Sequence, residues 1–111
     1  MEKKRTERDV LNSCLKLLKA RGIAHTRRNV GGIKRGNRYI RYGICGEADI
    51  EAWCWCCGTH PSTVWIECKR PGGKQSRDQR IFAEMVCQLG HAYLLVESAA
   101  ELEEWLERNL A

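Results

Sequence analysis

Thr63 to Phe82, TVWIECKRPGGKQSRDQRIF, switches its local pattern from strand to helix, and that switch constrains the fold more than any other part of the chain. Thr63 to Lys69 is rich in β-branched and aromatic residues and reads as a strand. Pro71-Gly72-Gly73 ends it, because proline carries no amide donor and paired glycines favour a turn. Ser76 followed by Gln79 is a capping box that opens a helix. The spacing predicts that this helix runs to about Leu89, with Gly90 as its stop. Phe82, Met85, Val86 and Leu89 are its expected core face, and Gln79 shares their side, while Arg77, Arg80, Glu84 and Gln88 look outward. A strand from His91 to Glu97 follows. Ser98 with Glu101 then opens a last helix carrying Leu102, Trp105, Leu106 and Leu110.

Upstream, Thr6 with Asp9 caps a first helix that stops near Gly22, with Val10, Leu11, Cys14, Leu15, Leu17 and Leu18 as its apolar stripe. Glu7 continues that stripe backward. Its carboxylate is either aimed at the core side and in need of a partner, or an ordinary first-turn acid that complements the helix dipole. Ile23 to Val30 reads as a strand broken by Gly31-Gly32. The glycine-spaced basic segment to Gly46 is a loop or a loose hairpin; it lacks the strand-turn-helix context and the Gly-Lys-Ser/Thr ending of a phosphate-binding loop. Ala48 to Cys56 alternates, Asp49, Glu51, Trp53 and Trp55 on one side and Ile50, Ala52, Cys54 and Cys56 on the other. Gly58 to Ser62, with Pro61, is the expected turn of an antiparallel hairpin to Thr63. The expected order is helix, three strands, helix, strand, helix, without internal repeats. A chain of 111 residues, 43% of them hydrophobic, supports one core, so residues 1–111 are expected to form a single α/β domain, a mixed sheet flanked by helices.

No run of apolar residues is long enough to cross a membrane and no secretory leader is visible, so a cytoplasmic protein is expected. Its seven cysteines are then expected to be reduced thiols. The net charge is +5, but the distribution is more informative: between Val10 and Gly46 there is no acid, while Lys16, Lys19, Arg21, Arg27, Arg28, Lys34, Arg35, Arg38 and Arg41 all fall there. Such clustering suits a phosphate-backbone partner, the plainer reading being a solvated basic face. Arg38-Tyr39-Ile40-Arg41-Tyr42 interleaves aromatic and basic side chains, which suits stacking on bases or an edge strand.

Glu67 and Lys69 lie two apart in a strand and so emerge on one face about 7 Å apart. Asp49, on the partner strand of the hairpin, reaches the same point. Two converging carboxylates repel unless a cation lies between them, and hard oxygen ligands suit Mg²⁺ or Mn²⁺. Lys69 is then a point charge placed to orient an attacking water and to stabilise charge on a phosphoryl group. The competing reading is a Glu67–Lys69 ion pair on an exposed sheet face. Near the hairpin tip, Cys54 and Cys57 have CxxC spacing with His60 close by, and Cys45 or Cys56 could complete a zinc site, although no second CxxC exists and cysteine is common in buried strands.

The segments GEADIEAW, VWIECKR and SRDQRIFAEMVCQLGHAYLLVES resemble the VRR-NUC domain, a branch of the PD-(D/E)xK nuclease superfamily. The resemblance extends from the helix TERDVLNSCLKLLKARG to the last strand. It implies a restriction-endonuclease-like mixed sheet and Mg²⁺- or Mn²⁺-dependent hydrolysis of DNA. The family's active-site positions fall on Asp49, Glu67, Lys69, Gln79 and Glu7, with the carbonyl of Cys68 joining Asp49, Glu67 and Glu7 on the metal. Ala48 departs from the proline of the superfamily name. Lys34, Arg35, Arg38, Arg41, Arg70, Lys74 and Arg77 are the expected DNA contacts. Small stand-alone members look like Holliday-junction resolvases that work in pairs, so the resemblance implies a homodimer acting on branched or four-way-junction DNA in a prokaryotic or viral host cytoplasm. Leu102, Trp105 and Leu106, or Trp53 and Trp55, are the expected interface. Two other classes stay open: a nucleic-acid-binding module without catalysis, and a zinc-dependent interaction protein.

Overall fold

The computed structural model describes residues 4–28, 31–56 and 60–110, with 31–35, 39–42 and 56 as backbone only. The elements are α1 (Glu7–Ala20), β1 (Ala24–Arg27), β2 (Gly31–Arg35), β3 (Arg38–Tyr42), β4 (Ile50–Cys56), β5 (His60–Cys68), α2 (Arg77–Gln88), β6 (Ala92–Val96) and α3 (Ala99–Asn109). Both N-terminal capping boxes form as the sequence predicts: the Thr6 side chain accepts from the Asp9 amide and the Ser76 side chain from the Gln79 amide, with each N3 side chain bonding back to its cap. No described helix is long and apolar enough to cross a membrane.

A four-stranded mixed sheet runs in the order β1-β4-β5-β6, antiparallel except for the parallel β5–β6 pair, which α2 connects. Alternation sorts its side chains into two cores. Ile50, Ala52, Val64, Ile66, Cys68 and Val96 pack with Val10, Cys14 and Leu18 of α1 and Leu102 and Leu106 of α3. On the opposite face Trp65 packs with Ala48, Phe82 and Val86, the Trp65 and Phe82 rings meeting edge to face at 5.0 Å. Helices α1 and α3 therefore cover one face and α2 the other, the usual way of burying both sides of a sheet.

Several expectations change. Of the two readings of the basic segment the hairpin forms, which adds two strands to the order: β2 and β3 pair antiparallel around a Gly36-Asn37 turn, with Gly36 at φ +60°. Strand β1 ends at Arg27 and not Val30, whose residue lies outside the described ones, as do Cys57 to Thr59. Strand β5 starts at His60, so Pro61 and Ser62 belong to it and pair with Trp55 and Cys54. Proline is tolerated there because β6 pairs only from Val64 onward, so Pro61 faces no donor-requiring partner on that side. On α2, Phe82 and Val86 are buried as expected, but Met85 is 42% and Leu89 67% exposed, since the helix lies over the β5–β6 part of the sheet on a narrow stripe.

Candidate active site

Four segments bring the predicted side chains together at one end of the sheet. The Ile50–Ile66 pairing puts Asp49 beside the end of β5, where its Oδ2 accepts from the Cys68 amide at 2.7 Å. On its other side the Asp49 carbonyl accepts from the Arg28 amide at 2.7 Å. Both flanking strands thus anchor this residue. Glu67 is 1% exposed, on the α2 face of β5. Gln79, at the third position of α2, donates from Nε2 to Glu67 Oε2 at 3.3 Å while its Oε1 accepts from the Ser76 amide at 2.8 Å. The capping box thereby fixes the amide so that only its donor end faces Glu67.

Glu7 opens α1 with its carboxylate half exposed, and its Oε1 lies 3.9 Å from Lys69 Nζ. It is not a core-side group, yet it does meet the site. Oxygens of Glu7, Asp49 and Glu67 lie within 4.8 Å of one another, close enough to share a cation. Lys69 follows directly after β5; its amide donates to the Val96 carbonyl at 2.9 Å and its side chain is mostly covered. The exposed Glu67–Lys69 ion pair considered from the sequence does not describe this site, because both residues are buried.

The electrostatics are those of three carboxylates that share a single nearby ammonium, Lys69. Burial, then the neighbouring charge of Asp49, push the Glu67 carboxyl up to about 9, with Lys69 pulling the other way and Glu7 adding to the rise. Glu67 Oε1 is buried and has no hydrogen-bond partner. A buried oxygen of this kind is costly unless something bonds it, and a divalent cation held between it, Asp49 and Glu7 would do so. The donor set is all oxygen and fits Mg²⁺ or Mn²⁺.

The loop that delivers Asp49 has a steric rule. Gly46 sits at φ +79° against the first turn of α2, and a Cβ there would lie 2.3 Å from the Asp78 carbonyl oxygen. Only glycine permits the contact that keeps the Asp49 loop next to Gln79. Sequence reasoning missed two further residues. Glu47, with a side chain 2% exposed, is paired at 3.3 Å by Arg28, which also reaches Glu51 at 3.7 Å. Arg28 thereby ties the residues on either side of Asp49 to β1. A cleft of ≈ 310 Å³ bordered by Arg28, Glu47, Asp49, Ser76 and Gln79 opens beside the cluster. The signal available beforehand was a Glu two residues before Asp49 in a core-bound segment.

Of the expected DNA contacts, Arg70, Lys74 and Arg77 are exposed on the connection from β5 into α2, next to the site. Arg38 is exposed on the β2–β3 hairpin, where the side chains of Lys34, Arg35 and Arg41 lie outside the described residues. Cys68 lends its amide to Asp49, and its side chain lies in the other core with Cys14. Cys54 packs toward that same core. Cys45 donates to Asp78 Oδ2 at 3.1 Å, at the α2 end of the Asp49 loop and away from the hairpin tip, so it does not complete a zinc site there; Cys57 and the Cys56 side chain lie outside the described residues. Comparison with protein-family models, with curated proteins and with solved structures finds no match to this chain.

Proposed function

We propose that this chain is a Mg²⁺- or Mn²⁺-dependent phosphodiesterase acting on DNA, a restriction-endonuclease-like domain of the VRR-NUC kind. The observation that carries the reading is the buried, partnerless Glu67 Oε1 inside a triad of carboxylates, with Lys69 beside it. Asp49, Glu67 and Glu7, with the Cys68 carbonyl, would hold the cation, whose chemistry is to offset phosphodiester charge and to acidify a water. Lys69 supplies a compact ammonium that orients the attacking water and stabilises negative charge on the phosphoryl oxygens. Gln79 holds one oxygen of Glu67 and leaves the other for the cation. Arg70, Lys74 and Arg77 bind phosphates flanking the cleaved bond, with the basic β2–β3 hairpin adding contacts further along. The reading includes a homodimer that cuts four-way or other branched DNA at paired sites, since a two-fold axis matches the near two-fold symmetry of such a junction.

The deciding experiment is cleavage of supercoiled and branched DNA with Mg²⁺, Mn²⁺ or EDTA, by the wild-type protein and by Lys69→Ala. Cleavage should require the cation and vanish in Lys69→Ala, while DNA affinity stays within severalfold, because Lys69 acts in the chemical step. Turnover by carefully purified Lys69→Ala would refute the assignment. Binding without cleavage under every condition would leave a nucleic-acid-binding module.

A further inference from the structure

The three carboxylates of the cluster are not held alike. Asp49 is fixed twice, its Oδ2 by the Cys68 amide at 2.7 Å and its carbonyl by the Arg28 amide. Glu67 is 1% exposed and its Oε2 is held by Gln79. Glu7 is different. Thr6 and Asp9 make the cap of α1, which leaves the Glu7 carboxylate half exposed and, among the described residues, tied only to the Lys69 ammonium at 3.9 Å. That separation is too long for a hydrogen bond, so charge alone holds the pair.

Lys69 depends on this contact more than Glu7 does. Its side chain is mostly covered, and among the described residues Glu7 is the one carboxylate in ion-pair range of its Nζ; Asp49 and Glu67 are not. A covered ammonium that loses its counter-charge is costly unless another anion takes over. Yet oxygens of Glu7, Asp49 and Glu67 also lie within 4.8 Å of one another, and Glu67 Oε1 has no hydrogen-bond partner. Glu7 thus faces both a lysine and a cation site. A carboxylate drawn to a divalent cation has less charge to offer an ammonium, which the same cation repels. A phosphate group can then serve as the counter-charge that Lys69 has lost.

We propose that Glu7 is the counter-ion of Lys69 in the metal-free protein and passes to a divalent cation held with Asp49 and Glu67, so that loading the site frees the Lys69 ammonium for a substrate phosphate. Glu7 is in this sense a positioning residue for Lys69. The phosphate half of the statement rests on the phosphodiesterase reading above; the exchange half does not.

The test is a double-mutant cycle on Mn²⁺ affinity, measured by calorimetry without DNA, over the wild-type protein, Glu7→Gln, Lys69→Met and the double variant, each checked for fold by circular dichroism. Lys69→Met should bind Mn²⁺ more tightly than the wild-type protein. Glu7→Gln should weaken Mn²⁺ binding more in the Lys69→Met background than in the wild-type one, by about threefold, the worth of one partly exposed ion pair. The same four proteins are then titrated with duplex DNA in EDTA at several salt concentrations. Lys69→Met should leave the slope of log affinity against log salt unchanged in the wild-type background and lower it by about one in the Glu7→Gln background, where the ammonium is already free. An additive cycle overturns the proposal, because the Glu7–Lys69 contact then persists with the cation in place. A slope that Lys69→Met lowers in the wild-type background overturns it too, since Lys69 would then reach phosphate without being released. A wild-type protein that binds no Mn²⁺ removes both the exchange and the phosphodiesterase reading. A coupled cycle in a protein that cleaves no DNA keeps the exchange and removes only that reading.

Discussion

Glu67 is the residue whose chemistry is most exposed to test. Its ordinary value is 4.5 and burial beside Asp49 raises it to about 9, so the metal-free fold favours the protonated form. Its contribution to stability is therefore fully present below 4.5 and is lost as pH rises toward 9. By neutral pH the loss is on the order of 3 to 4 kcal/mol, at about 1.4 kcal/mol per unit. Glu67→Gln keeps the shape without the charge, and in EDTA its melting temperature should exceed that of the wild-type protein by a margin that grows from pH 5 to pH 8. Added Mg²⁺ should raise the wild-type melting temperature and leave the variant unchanged. A margin independent of pH would mean that Glu67 is not held protonated. Arg28 makes a second residue-scale prediction. Arg28→Met leaves the buried Glu47 carboxylate without its partner, a situation that typically costs about 3 kcal/mol or more. Glu47→Gln added to Arg28→Met should recover much of the loss in a double-mutant cycle. Metal affinity measured by calorimetry should fall with Arg28→Met, because Asp49 lies between the two tied residues.

At the scale of elements, the β2–β3 hairpin forms a two-stranded sheet apart from the four-stranded one, and its composition is basic throughout. A basic hairpin that forms a sheet of its own fits a phosphate-binding arm. Replacing Arg35, Arg38 and Arg41 by alanine should lower the slope of log affinity against log salt by about two to three, one phosphate contact per arginine. An unchanged slope would make the arm a solvated face. Melting temperature of the free protein should barely move, since a phosphate contact forms only when DNA is bound.

For the whole molecule, one of the two expected dimer surfaces is removed and the other, Trp53 and Trp55, is exposed. Leu102 is 0% and Leu106 2% exposed, because α3 turns them onto α1 and the sheet, so the last helix cannot offer them to a partner. A further exposed apolar line lies on α2, where Ile81, Met85 and Leu89 follow one another at single-turn spacing. Sedimentation should give a mass near twice 12.7 kDa, and Ile81→Glu/Leu89→Glu should reduce it to that of one chain. A cruciform plasmid should pass directly to linear product with the dimer and accumulate nicks with that variant. A protein that is monomeric at every concentration would retire the paired-cut reading and leave the metal chemistry standing.

Features that depend only on neighbours along the chain follow from the residue order. The caps at Thr6, Ser76 and Ser98, the alternation in β4 and β5, and the pairing of Glu67 with Lys69 on one side of a strand are all set by short-range periodicity and hydrogen bonding. That is why Asp49, Glu67, Lys69 and Gln79 were legible, while Glu7 and its companion role were legible only as one of two readings. Tertiary structure alone decided which apolar side chains are covered. Met85 and Leu89 have the same helical spacing as Phe82 and Val86, and only the position of α2 over β5 and β6 separates buried from exposed. It also decided the Arg28–Glu47 tie and the glycine contact at Asp78, because each joins segments far apart in sequence. The charge state of Glu67 belongs to the same class: a carboxyl changes its acidity through burial and through a second carboxyl brought beside it, and both are properties of the folded chain.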